Sequence, residues 1–121
     1  MGRLLSGQRV LVVEDEFLVL MHMEDMLADL GCDAVTSAAT VTDALALIDT
    51  EPFDLAMLDM NLDGDKSDAI ADALAEHGVP FAFATGYSSP DMSDCHRNRP
   101  VLNKPIGNGK LVETLTFLLP H

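Results

Sequence analysis

Five residues of this chain could together handle a phosphoryl group, and each follows a short apolar run. Glu14 and Asp15 follow Val10–Val13, Asp59 follows Leu55–Leu58, Thr85 follows Phe81–Ala84, and Lys104 follows Val101 and Leu102 through Asn103. Crowded carboxylates repel one another unless a cation lies between them. A hard divalent ion such as Mg2+ meets that need, because it takes a few carboxylates, keeps several waters and accepts a substrate phosphate oxygen. Asp59 would then be both ligand and nucleophile. Its carboxylate attacks phosphorus in line while the metal and Lys104 neutralise the equatorial oxygens. The Thr85 hydroxyl can donate a hydrogen bond to a phosphoryl oxygen. The product of such a step is an acyl phosphate on Asp59.

This chemistry requires four distant segments to meet, and the runs themselves indicate how. Short apolar runs without alternation fit strands buried on both faces of a parallel sheet. Helical patterns separate them. Phe17 to Leu30 reads as a helix stopped by Gly31, and a second strand covers Ala34 to Ser37. Thr40 or Thr42 caps the next helix, which carries Ala44, Leu45, Leu47 and Ile48 and ends before Pro52. Asn61 to Gly64 is a loop by composition, Ser67 to His77 a helix closed by Gly78, and Lys110 to Leu119 a last helix burying Leu111, Leu115 and Leu118. Alternating strands and helices give right-handed βαβ units. The expectation is a flavodoxin-like doubly wound α/β fold with a five-stranded parallel sheet of order 2-1-3-4-5 and flanking helices. Strands one and three are then neighbours, so Glu14, Asp15 and Asp59 meet at the switch point where such sheets bind ligands. Ser88 to Pro100 breaks the pattern, with Met92 and Cys95 as its only apolar residues. A helix there would lack a stripe to bury and should be short, frayed or mobile.

Composition limits the alternatives. At 121 residues the chain has room for one domain (1–121), and nearly half its residues are hydrophobic, as in a globular protein. Its formal net charge of -13, from 20 Asp and Glu against 7 Lys and Arg, argues against direct nucleic-acid binding. No apolar stretch approaches the roughly 20 residues of a membrane span, and residues 1–8 lack a signal-peptide core. Cys32 and Cys95 stand far apart without CxxC spacing, which suits reduced thiols. A soluble, cytoplasmic protein is expected. The four histidines, 22, 77, 96 and 121, show no metal-ligand spacing and carry no assigned role.

At the chemistry-bearing positions the chain resembles the receiver domain of bacterial two-component response regulators, over nearly its whole length from Arg9 to Leu119. The resemblance rests on Val-Val-Glu-Asp-Glu at 12–16, Leu-Asp-Met-Asn-Leu at 58–62, Thr85-Gly86 and Lys104-Pro105. It implies that Asp59 is the phosphoacceptor and that Glu14 and Asp15 serve Mg2+, with Asp15 the more direct ligand. It also implies that Asn61 offers a backbone carbonyl to the metal, and that Thr85 and Lys104 bind the phosphoryl group. A cis peptide before Pro105 is a further implication of the family. The implied partners are a histidine kinase or histidine phosphotransfer protein, with a possible downstream protein target. With no output domain after His121, action by protein contact or phosphoryl relay is expected.

Phe83-Ala84-Thr85-Gly86-Tyr87 is similar to the "FAT GUY" subgroup of single-domain receivers, which is implicated in bacterial stress-response phosphorelays. The position three residues before Lys104, where the family usually carries a switch aromatic, is Val101. A Thr–aromatic coupling is therefore unavailable, and Gly86 and Tyr87 become the candidate switch together with the Ser88–Pro100 stretch. Glu14 stands where many receivers have Asp, and its longer side chain is expected to bind the metal through water or to alter its affinity. The loop after Asp59 lacks the common Met-Pro turn, and its Asp63, Asp65 and Lys66 read as solvated.

The first helix is richer in apolar residues than one buried face needs. Val19, Met23, Met26, Leu27 and Leu30 form a core stripe, while Phe17, Leu18, Leu20 and Met21 leave a second apolar surface suited to a partner. Two rival functions remain. An aspartyl-nucleophile phosphatase of the haloacid dehalogenase type would need a second Asp two positions after the nucleophile, and that position is Asn61. A degenerate receiver acting only as an interaction module would not need Asp59, Asp15, Thr85 and Lys104 together.

Overall fold

The computed structural model describes residues 5, 7–32, 34–59, 61–62, 65–66, 68–85, 101–103 and 107–118. Strands β1 (Arg9–Val13), β2 (Ala34–Ala38), β3 (Leu55–Asp59), β6 (Phe81–Thr85) and β7 (Val101–Asn103) form one parallel sheet. Its order, β2-β1-β3-β6-β7, is the 2-1-3-4-5 order expected from the sequence. A separate two-stranded antiparallel hairpin pairs β4 (Asn61–Leu62) with β5 (Asp65–Lys66). The expectation of a plain loop from Asn61 to Gly64 is thus corrected at Asn61 and Leu62. Two-residue strands are too short to leave a periodic signal, although Asp-Gly in the sequence between them is a dipeptide that hairpin turns favour.

Helices α1 (Phe17–Asp29), α2 (Val41–Thr50), α3 (Asp68–Glu76) and α4 (Asn108–Leu118) cover the sheet. Successive strand residues point to opposite faces, and the core divides accordingly. On one face Val10, Val12, Leu55 and Met57 pack with Met23, Met26 and Leu27 of α1 and Leu111 and Leu115 of α4. On the other, Leu11, Val13, Ala56 and Leu58 pack with Ile48 of α2 and Ile70 and Leu74 of α3. Phe81 and Phe83 join that second layer edge to face, with ring centroids 5.5 Å apart. Leu5 is fully buried in the first layer and bonds backbone to backbone with Leu30, an anchor that the short sequence before Arg9 did not advertise.

The helix ends follow from local chemistry. Thr40 Oγ1 accepts the Asp43 N–H at 3.1 Å and caps α2. Leu30 ends α1, and Gly31 follows at φ +90°. There the Gly31 N–H reaches Ala28 O and the Cys32 N–H reaches Leu27 O, which is a Schellman motif. Gly78, at φ +71°, ends α3 the same way, with its N–H to Ala75 O and that of Val79 to Leu74 O. In both cases the residue after the glycine packs in the same core layer as the acceptor, Cys32 with Leu27 and Val79 with Leu74.

On α1 the surplus apolar surface is present but smaller than expected. Phe17, Leu18 and Met21 are exposed, whereas Leu20 is half-buried against the first core layer and leaves the patch. The sheet lets that layer reach one helical step wider than the stripe drawn from sequence. His77, given no role, bridges α3 to α2 with Nε2 3.4 Å from Asp49 Oδ1. α4 begins at Asn108, two residues before the expected start at Lys110. Gly86, Tyr87, Ser88–Pro100, Lys104 and Pro105 lie outside the described residues.

Equal chemistry at unequal depth tests this packing. Leu74 is fully buried, while Leu18 is 79% exposed. Leu74→Ala should lower the unfolding free energy by about 2–5 kcal/mol, and Leu18→Ala should change it by less than about 0.5 kcal/mol. Denaturant titration of both variants measures the contrast.

Candidate functional site

β1 and β3 are hydrogen-bonded neighbours in a register that pairs Val13 with Leu58. Continued by one residue, that register sets Glu14 beside Asp59 at the carboxyl end of the sheet. Both are buried, Glu14 at 1% and Asp59 at 5% exposure, and Asp15 next to them is half-buried. One carboxylate oxygen from each of Glu14, Asp15 and Asp59 lies within 4.8 Å of the others. The sequence-predicted acids are therefore brought together.

The remaining predicted residues divide by what the structure describes. Asp59 pairs across the sheet with Ala84, so Thr85 ends the adjoining strand one residue further along. Thr85 in turn pairs with Asn103, the residue before Lys104. Asn61 lies in the backbone of β4, two residues beyond Asp59. Lys104, Gly86 and Tyr87 are outside the described residues.

Glu14 has a second task that sequence reasoning missed. Its backbone N–H donates to Ala38 O at 3.0 Å, fixing the end of β1 to β2. Its Oε2 accepts the Glu16 N–H at 3.1 Å. Glu16 is the N-cap of α1 and contributes no side-chain cap of its own. The buried glutamate thus ties the strand end to the start of the helix while standing in the acidic cluster. An acid two residues before an uncapped helix start is the signal that could have revealed it.

The donor set suits a hard cation. Six oxygens about 2.1 Å from Mg2+ stand about 3 Å apart when adjacent and about 4 Å when opposite. Oxygens already within 4.8 Å of one another can close on such an ion by small side-chain rotations. Among the described residues the cluster offers three carboxylates and no nitrogen or sulfur donor, a set that favours Mg2+ or a similar ion over zinc. A cleft of about 540 Å³ lined by Phe53, Ala75, Val79, Pro80 and Leu118 lies at the opposite, amino end of β3 and β6. It has no part in the acidic site.

Sheet order and acid placement define a doubly wound α/β domain with a carboxylate cluster at its switch point, where such sheets bind ligands, and comparison with known proteins narrows the class. The response regulator receiver domain model matches residues 10–116, and the chain belongs to that family. It is 32% identical over 120 residues to the response regulator protein PilR of Pseudomonas aeruginosa. That match takes in 95% of this chain and 27% of PilR, so the chain spans about a quarter of that relative's length. Among solved structures it resembles the solution structure of SdrG from Sphingomonas melonis Fr1, with a TM-score of 0.83, 41% identity, and coverage of 92% of this chain and 95% of that one. The BeF3-activated conformation of SdrG from Pseudomonas melonis Fr1 matches with a TM-score of 0.80 and 42% identity, over 93% of this chain and 96% of that one. Receiver domains generally bind Mg2+, and Glu14, Asp15 and Asp59 are the residues here that can hold it.

Binding of the ion should appear as stability. A Mg2+ concentration a hundredfold above its dissociation constant should raise the unfolding free energy by about 2.7 kcal/mol. Asp15→Asn removes a ligand from a half-buried position and should abolish most of that gain. Thermal unfolding of both proteins across a Mg2+ titration, at constant ionic strength, reads the difference.

Proposed function

We propose that this chain is a Mg2+-dependent phosphoacceptor, taking a phosphoryl group onto Asp59 from a histidine kinase or phosphotransfer protein. The convergence of Glu14, Asp15 and Asp59 carries this reading. An oxygen of Asp59 attacks phosphorus in line, forming the new O–P bond as the donor's P–N bond breaks. The bonding pair stays on the donor imidazole nitrogen, and the product is an acyl phosphate on Asp59. Bound Mg2+ would supply positive charge against the three carboxylates and the phosphoryl oxygens. Glu14, Asp15 and Asp59 would hold that ion, with the Asn61 carbonyl as a further ligand. Lys104, which follows β7 in the sequence, would add positive charge, and Thr85 would donate a hydrogen bond once phosphate is present.

Within this reading Thr85-Gly86-Tyr87 reports the phosphorylated state, and the Phe83–Tyr87 sequence supports kinship with the FAT GUY subgroup. Stress-response signalling in the cytoplasm, by protein contact or phosphoryl relay, belongs to the same proposal. BeF3 mimics a phosphoryl group, and the existence of a BeF3-activated conformation of the similar SdrG supports the reading. Asn61 supports an acceptor over a phosphatase, because an amide cannot act as the general acid and base that turnover demands. We accordingly take the chain to catalyse no more than its own phosphorylation and slow dephosphorylation.

Incubation with acetyl phosphate and Mg2+, followed by intact-mass measurement and borohydride trapping, tests the proposal. About one phosphoryl group per chain should form and map to Asp59, with none in Asp59→Asn or in the presence of EDTA. Release of many phosphates per chain would indicate a phosphatase, and labelling at another residue would overturn the assignment.

A further inference from the structure

The acidic cluster is held from one side by a backbone donor. The Glu16 N–H donates to Glu14 Oε2 at 3.1 Å, and the Glu16 carbonyl accepts the Leu20 N–H at 2.9 Å to open α1. One residue therefore ends a bond from the cluster and begins the helix ladder. A helix start leaves several N–H groups without an intrahelical acceptor. α2 meets that need with the Thr40 side chain, whereas the N-cap of α1, Glu16, makes no side-chain cap bond. At α1 the acceptor is a side chain of the acidic cluster instead.

A glutamate has one more rotatable bond to fix than an aspartate before it can ligate an ion. The main chain of Glu14 is fixed to β2 through Ala38 O, and the bond from Glu16 fixes the other end of the residue. A hydrogen bond from an N–H to a carboxylate is charge-assisted and stronger than one between neutral partners. The amino end of α1, which carries partial positive charge, stands beside the same acids. A carboxylate has about four lone-pair sites, so accepting one N–H does not by itself prevent ligation. Loss of an outer group that orients a ligand typically weakens metal binding by about 10–100-fold.

We propose that the Glu16 N–H is a positioning group of the cation site, holding the Glu14 carboxylate in its ligating place and coupling the occupied site to the first turn of α1. The inference rests on the reading of Glu14, Asp15 and Asp59 as a Mg2+ site and adds a residue outside those acids. Coupling between two equilibria is reciprocal. A gain in Mg2+ affinity from this bond therefore obliges the bound ion to favour the bond by the same factor. The Glu16 side chain is exposed and has no part in this. The donor is main chain, which every residue except proline supplies, so the residue type at 16 gives no hint of the role.

The test compares wild type with Glu16→Gln, which keeps the donor, and Glu16→Pro, which deletes it. Both variants remove the same exposed charge and leave all three acids in place. The φ of -87° at Glu16 is about 20° from the value proline fixes. Amide shift titrations at constant ionic strength give the Mg2+ dissociation constants, with circular dichroism as the check on folding. Glu16→Gln should bind Mg2+ within about threefold of wild type, because an exposed charge is well screened. Glu16→Pro should bind it about tenfold more weakly than Glu16→Gln. In wild type, saturating Mg2+ should slow hydrogen exchange of the Glu16 amide by about tenfold. The Asp43 amide, bonded to Thr40 Oγ1 at the start of α2, should change by less than about twofold, since no such coupling reaches it. The exchange arm decides alone where Glu16→Pro fails to fold. Equal affinity in Glu16→Pro and Glu16→Gln, or Glu16 exchange that Mg2+ leaves unchanged or accelerates, would overturn the positioning role and leave the cation site and the acceptor reading standing. Mg2+ that shifts no amide from Val13 to Glu16 or at Leu58 and Asp59 in wild type would overturn the cation site itself, and this inference with it.

Discussion

Two buried carboxylates, Glu14 and Asp59, stand at the carboxyl ends of adjacent parallel strands, and the architecture forces them there. Two unit charges 4.8 Å apart repel by about 3.5 kcal/mol at an effective dielectric near 20. That is a large fraction of the 5–15 kcal/mol by which small domains are stable. Positive charge close to the cluster relieves that repulsion. The switch point between β1 and β3 gathers the acids, and the half-buried Asp15 opens the cluster toward solvent. An ion that enters there joins the strand ends electrostatically, so ion binding and local order become linked.

The rest of the fold insulates this arrangement. Two separate core layers, one under α1 and α4 and one under α2 and α3, clamp β1 and β3 from both faces. Glycine-terminated helices return the chain to the sheet without leaving their last carbonyls bare. Glu14 links this scaffold to the site, since the side chain that stands in the acidic cluster also holds the first turn into α1. Movement at the cluster is therefore mechanically connected to the helix whose exposed apolar residues face outward beside it.

Much of this was legible in the residues. Strand ends at Asp59 and Thr85, the 2-1-3-4-5 sheet order and the glycine stops at Gly31 and Gly78 follow from apolar runs and turn chemistry, which act locally and leave strong signals. Clustering of Glu14, Asp15 and Asp59 followed from topology, because order alone decides which strand ends are neighbours. Other features depend on tertiary distance and left no such trace. The β4–β5 hairpin is too short for periodicity, and the His77–Asp49 pair joins helices whose crossing no local pattern reveals. Leu20 counted as surface apolar because a helical wheel fixes an angle but not the width of the sheet beneath it. The roles of Asp59, Lys104 and Thr85 were legible only from their joint occurrence at successive strand ends, sharpened by resemblance to receivers, since an acid, amine or alcohol at a strand end has no unique chemistry alone.

Paramagnetic relaxation by Mn2+, substituted for Mg2+, tests the central claim that these carboxylates form one cation site on an otherwise acid-rich surface. Amide resonances of Val13 to Glu16 and Leu58 to Asn61 should broaden first at substoichiometric Mn2+ and recover when Mg2+ is added in excess. Broadening spread instead over Asp25, Asp29, Asp43 and Asp49, with no early loss at the strand ends and no recovery with Mg2+, would contradict the account.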